Sequence, residues 1–309
     1  MDASAQPGPK GWSWLPPARR SALMVTLPCV ALLTATPAAA QRPEMPFYQS
    51  LSWSPDGTRI LFCGVLTSWD EGGGYRIYVM NADGSEQAQL STGGDQEMYP
   101  VWSPDGTKIA YASRQNDNID LFVMNADGSA VTRLTHDAAR DSYPTWSPDG
   151  SRIAFQSNRE GNYDIYVMNA DGSKQRRLTR RTRDDLAPAW SPDGSRIVFE
   201  ADRDSEQGDE VYLINPDGSG LTLLAESGIF PTWSPDGAQI IYGPGRRGEG
   251  VLRVINSDGS GEAVLAQGAF YAVWSPDGSR IAAIFNEPDR STSIAVMNAD
   301  GSGRKEIAH

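Results

Sequence analysis

The pentapeptide Trp-Ser-Pro-Asp-Gly occurs six times in this chain, beginning at Trp53, Trp102, Trp146, Trp190, Trp233 and Trp274. An Asn-x-Asp-Gly tetrapeptide follows each copy, at Asn81, Asn125, Asn169, Asn215, Asn256 and Asn298. The two turns recur in step with a period of 41 to 49 residues. Such a period marks an array of supersecondary units, none of which buries its apolar face alone. No spacer between repeats is long enough for a second domain.

Each unit reads as strand and turn only. In the third, Ser147-Pro148-Asp149-Gly150 places proline where its fixed φ suits the second position of a turn, with glycine at the left-handed position. The turn joins "YPTW" to "RIAFQS", in which Ile153 and Phe155 alternate with Ala154 and Gln156. "DIYVMN" is a third strand, "NADG" a second hairpin turn and "RRLT" a short fourth strand. Six such units predict an all-β fold, a six-bladed β-propeller of four-stranded antiparallel blades. The blades are placed at about 47–92, 98–135, 142–179, 186–226, 229–266 and 269–309. Pro100, Pro144, Pro188 and Pro231 each stand two residues before a repeat tryptophan. Proline cannot donate to a ladder, so these first strands belong at an edge, beside the central channel. The six indoles are expected to be buried in equivalent positions between blades, each stabilising the ring by roughly 2–3 kcal/mol.

The residues before the first blade have a different character. Arg19 and Arg20 precede the apolar stretch "SALMVTLPCVALLTATPAAA". A basic region, an apolar core and a small-residue end predict a secretory signal peptide over residues 1–40, with the mature chain starting at Gln41. The apolar core is too short, and too interrupted by Pro28 and Pro37, to span a membrane. The expected location is therefore periplasmic or secreted, with a mature protein that is a monomer and crosses no membrane. Cleavage removes three basic side chains and one acidic one, taking the net charge from -12 to -14. That charge argues against nucleic acid as a partner. Only Cys63 remains after cleavage, so no intrachain disulfide is expected.

"WSPDGTKIAYAS", "DIYVMNADGS" and "RRLT" together resemble the repeats of the TolB-type, WD-like β-propellers, over about residues 48 to 309. The resemblance implies an exported scaffold that binds a protein or peptide in the cell envelope. TolB also carries an amino-terminal α/β domain. The residues between Gln41 and the first blade leave no room for one, so the resemblance concerns the propeller alone.

The repeated aspartates, Asp56 through Asp277, sit in turns where Asp bonds its own backbone. A Gly-x-Ser-x-Gly elbow and a His-Glu-x-x-His helix are both missing from the sequence. No catalytic residue is therefore assigned. What differs between blades is more informative. The hairpin turns must share one face of the disc, and the variable connections must share the other. That second face is the expected partner surface, formed by Trp69, Asp70, His136, Arg140, Tyr143, Arg180, Arg181, Arg183, Asp202, Arg203, Phe230, Arg246 and Arg247. Glu97, Asp141 and Asp185 each lie five residues before a repeat tryptophan. They are candidates for a divalent-cation site at the channel mouth, or alternatively caps of backbone NH groups where their strands begin. Other readings of the whole are a carbohydrate-active or metal-binding propeller of lyase or glycosidase type, and a stand-alone regulatory propeller of the peptidase kind.

Overall fold

The computed structural model of the chain describes residues 47–65, 74–91, 93, 96–202, 208–245, 250–289 and 291–309. The expected signal segment, residues 1–40, and the expected cleavage site lie outside them. Residues 42–309 form one compact unit. No helix among the described residues is long and apolar enough to cross a membrane.

Among the described residues, twenty-four strands form six four-stranded antiparallel sheets, in chain order. The first blade holds β1 (Phe47–Trp53), β2 (Arg59–Val65), β3 (Arg76–Asn81) and β4 (Ala88–Gln89). The second holds β5 (Gln96–Trp102), β6 (Lys108–Gln115), β7 (Asn118–Asn125) and β8 (Thr132–Arg133). The third holds β9 (Asp141–Trp146), β10 (Arg152–Ser157), β11 (Asp164–Asn169) and β12 (Arg176–Arg177). The fourth holds β13 (Asp185–Trp190), β14 (Ile197–Ala201), β15 (Glu210–Ile214) and β16 (Thr222–Ala225). The fifth holds β17 (Ile229–Trp233), β18 (Gln239–Gly243), β19 (Val251–Asn256) and β20 (Ala263–Gln267). The sixth holds β21 (Ala269–Trp274), β22 (Arg280–Asn286), β23 (Thr292–Asn298) and β24 (Lys305–Ala308). The first strand of each blade is a sheet edge and touches the first strand of the next, and β21 meets β1 to complete the ring.

Both turns hold their shape by local chemistry. In the first, Asp149 Oδ1 accepts from the Ser147 hydroxyl and, at 3.0 Å, from the Ser151 N–H, and Gly150 has φ of 69°. The serine-to-aspartate bond recurs in all six blades. In the second turn, Asp171 Oδ1 accepts from Ser173 N–H at 2.9 Å. Gly172 there has φ of 84°, and a Cβ on it would lie 2.6 Å from the Leu134 carbonyl oxygen of the preceding blade. This turn is therefore also a joint between blades. The joint of Gly84 with the Ile307 carbonyl is its equivalent at ring closure.

The repeat tryptophans are not equally buried. Trp53, Trp102, Trp146 and Trp190 are buried, whereas Trp233 and Trp274 are only half-buried. Arg59, Arg152 and Arg280 each lie over the tryptophan of the next blade, at 5.0, 4.7 and 5.0 Å from the ring centroid. Blade five carries Gln239 in place of that arginine, at the position that faces Trp274 of the sixth blade.

Among the described residues no strand is exchanged between the first and last blades. The closing seam is instead a single apolar cluster of Tyr48, Leu51, Trp53 and Phe62 with Ile284, Ile294 and Val296. Tyr48 N–H donates to Thr292 Oγ1 at 2.6 Å, and Trp53 Nε1 to the Val273 carbonyl at 3.3 Å. The sixth blade is filled despite its small residues, because Ala283 and Ala295 are fully buried beside Ile241, Leu252 and Phe285.

Candidate functional site

The antiparallel order puts both Asp-Gly turns of every blade on one face, and the connections between second and third strands, with those between blades, on the other. Glu97, Asp141 and Asp185 open β5, β9 and β13 near that second face and are buried. The structure does not bring them together. Their carboxylates fall outside any shared ligand sphere, and each is directed into the seam with the preceding blade.

A hydroxyl waits there in each case. Ser91, Thr135 and Thr179 follow the outer strands and stand six residues before the three carboxylates. Their Oγ atoms accept from the N–H of Ile77, Leu121 and Ile165 at 3.0, 3.0 and 2.9 Å. That leaves the hydroxyl protons of Ser91 and Thr179 free to face their carboxylates, whereas Thr135 also donates to Asp120 Oδ1 at 3.4 Å and Asp141 has the Ser157 hydroxyl beside it as well. The backbone is thus engaged through the hydroxyl rather than by the carboxylate itself. Arginines complete the seams. Arg159 Nη2 lies 3.2 Å from both oxygens of Asp141 and 3.0 Å from Asp137, and its guanidinium sits 4.4 Å over Tyr166. Arg133 and Arg177 pair with Asp120 and Asp164, each at 2.8 Å. Asp185 is less well served. It faces the Thr179 hydroxyl and the Arg181 guanidinium, 3.8 Å away, with a well-formed hydrogen bond to neither. Burial pushes its pKa up to about 7, opposed by Thr179 and Arg181. Glu97 and Asp141 are shifted upward by burial too.

The other seams lack this group. The matching positions are Tyr48, Gly228 and Ala269. A Cβ on Gly228 would collide with the Tyr242 ring, so that seam admits no side chain.

The expected partner residues divide into three sets. His136, Arg140 and Arg180 are exposed on the interblade connections. Arg181 and Arg183 are half-buried. Arg181 lies 4.4 Å over the Tyr212 ring and 3.9 Å from Glu210, and Arg183 is 4.0 Å from Asp202. Trp69, Asp70, Arg203, Arg246 and Arg247 lie outside the described residues.

Tyr143 and Phe230 form the third set, and they sit in the channel. Tyr99, Tyr143, Ala187 and Phe230 have φ of 56°, 53°, 47° and 52°, and each immediately precedes a proline at a break in strand register. This left-handed bulge turns the residue three before the tryptophan toward the axis. Tyr99 stacks on Tyr143 at 3.7 Å, Tyr143 on Phe230 at 6.0 Å, and Phe230 meets Tyr271 edge-on at 5.7 Å. Side chains of the preceding blade satisfy two of the bulged N–H groups. Ala187 N–H donates to Gln156 Oε1 at 2.9 Å and Phe230 N–H to Glu200 Oε2 at 3.3 Å. The X-Pro dipeptides were the available signal for this tier. On the turn side of it lies a cavity of about 330 Å³, and none of its described lining residues is charged.

Six consecutive four-stranded blades, joined by Gly turns and polar seams around an aromatic-filled channel, define a β-propeller of the Trp-Ser-Pro-Asp-Gly repeat type. The TolB beta propeller domain family matches residues 96–272, more than half of the sequence, and this chain belongs to that family. No match was found among curated proteins. Among solved structures, TolB of Acinetobacter baumannii is similar at 20% identity and a TM-score of 0.68, over 85% of this chain and 63% of that one. This chain thus spans less than two thirds of that relative's length. A candidate TolB from Agrobacterium tumefaciens gives 22% identity and a TM-score of 0.63, over 81% and 89%. An oligogalacturonate lyase in complex with manganese gives 16% and 0.58, over 84% and 76%. Likeness at these identities shows the shared fold.

Proposed function

We propose that this protein is an exported, non-catalytic binding platform whose partner, a protein or peptide of the cell envelope, docks on the face of the interblade connections. One observation carries the reading. The connections leave His136, Arg140 and Arg180 in solvent while the carboxylates beneath them are buried in the seams. A surface so divided offers Arg140 and Arg180 as cationic anchors without a base-and-nucleophile pair. Mixed charge on such a rim sets register and encounter rate more than affinity. Similarity to TolB propellers supports the platform reading, and the Arg-apolar-Ala segment supports export.

The test is a comparison of faces. Arg140→Ala with Arg180→Ala removes two exposed cations, and Ser85→Ala with Ser173→Ala alters two turns opposite. Capture of a partner from envelope extract is expected to weaken about tenfold or more with the first pair and to persist with the second. The reverse pattern assigns the turn face instead. Turnover of an oligosaccharide or peptide by the purified protein ends the platform reading, and an intact Met1 form in the cytosol ends the export reading.

A further inference from the structure

We propose that the channel cavity is a binding site for a small, uncharged molecule of the phenol class, one aromatic ring with one hydrogen-bonding hydroxyl. The cavity runs from the aromatic tier toward the hairpin turns, reaching Pro276, and so lies away from the face proposed for the partner. Its volume of about 330 Å³ is at the lower end for ligand pockets, and apolar cavities of about half that size take up benzene.

The lining selects the ligand's charge. In a protein of net charge -12, no described residue of this cavity carries a charge. An ion entering it loses hydration and gains no counter-charge. The walls are the four inner prolines and the edges of tryptophans such as Trp102 and Trp233. Ser52, Val101, Thr145, Ala189, Thr232 and Val273 ring the wall one residue before each tryptophan, and all six are half-buried, which gives solvent and solute a way in.

The tier at its end selects the ligand's shape. The six axial positions hold Ser50, Tyr99, Tyr143, Ala187, Phe230 and Tyr271. Ala187 interrupts the rings in blade four, but Tyr143 and Phe230 stack across that gap. Ser50 interrupts them in blade one, and its hydroxyl is buried with no hydrogen-bond partner among protein oxygens and nitrogens, beside the Cys63 thiol. A ring entering there joins the aromatic tier, and its hydroxyl meets the buried Ser50 hydroxyl, which has only the weakly bonding Cys63 thiol beside it. Aromatic pairs add to simple burial, and a buried hydroxyl left unpaired is costly.

Calorimetric titration of the intact protein with phenol tests this. Saturable binding at one site per chain is expected, with benzoate weaker by about tenfold or more. Ser50→Ala should weaken phenol roughly threefold to tenfold and leave toluene unchanged, because only phenol loses a hydrogen bond. Thr145→Phe, on the half-buried wall, should abolish both while the melting transition survives. Four results overturn the proposal: no saturable phenol binding, benzoate bound as well as phenol, phenol affinity unmoved by Ser50→Ala, or binding that survives Thr145→Phe. Tighter binding of N-acetyltyrosinamide than of phenol would make the cavity a side-chain pocket for a protein and would also refute it.

Discussion

Asp185 shows how one carboxyl can set a pH dependence. Its pKa is raised to about 7 in the fold, largely by burial, against an ordinary value of 3.8. The folded state therefore holds the proton more tightly than the unfolded chain. By linkage, the group favours folding below pH 3.8, loses that advantage as pH rises, and disfavours folding fully above pH 7. Asp185→Asn fixes the uncharged form. The wild-type urea midpoint should fall between about pH 4 and pH 7, and the variant's should fall less, by an amount on the order of a few kcal/mol in stability. Parallel profiles for the two proteins would show that Arg181 neutralises the charge after all. The turn aspartates work in the opposite sense. Hydrogen bonds from Ser147 and Ser151 hold Asp149 down near 2, so its contribution is present above the ordinary carboxyl range and is lost as pH falls through 2.

At the scale of elements, the joint between blades is the second hairpin turn. Gly172 combines a left-handed φ with close approach to the Leu134 carbonyl. Gly172→Ala therefore meets backbone strain and a steric clash together, and should cost about 2–3 kcal/mol, read as a lower chemical denaturation midpoint. Gly161 has a similarly positive φ but open space around it. Gly161→Ala should cost less, about 1 kcal/mol, from strain alone. Equal losses at the two sites would remove the joint from the explanation. The polar seams are built on the same principle. A hydroxyl at the end of one blade and a carboxylate at the start of the next make sense only as a pair, six residues apart in sequence and in contact in space.

For the whole molecule the decisive seam is the one where the ends of the ring meet. Among the described residues no strand is exchanged there, so apolar packing and a few hydrogen bonds close it. Tyr48 is central there, 2% exposed, edge-on to Phe62 at 5.5 Å and bonded through its N–H to Thr292. Tyr48→Ala should cost about 3–5 kcal/mol by the large-to-small rule for aromatic core residues. Hydrogen exchange should then quicken first in β1 and β23, ahead of β9 and β10 on the far side of the ring. Uniform acceleration across all blades would mean that the ring opens as one unit and that closure is not its weak point.

The six-fold text determined the blades, because proline, aspartate and glycine fix turn geometry within four residues and alternation fixes the strands between them. It also placed Pro100, Pro144, Pro188 and Pro231 on inner edges, since a missing N–H is a local property. The destinations of side chains were decided elsewhere. Glu97, Asp141 and Asp185 share a place in the repeat, yet whether they face the axis or a seam depends on the twist of one blade against the next, and the hydroxyls of the preceding blade draw them into the seam. Tyr143 and Phe230 looked like surface anchors in loops, but a left-handed bulge before proline turns them into the channel. Trp233 and Trp274 share the motif of the buried tryptophans and remain half-buried, because burial depends on what the neighbouring blade supplies. Local sequence sets the shape of each blade, and the contacts between blades, long-range in sequence, decide which side chains are left to act.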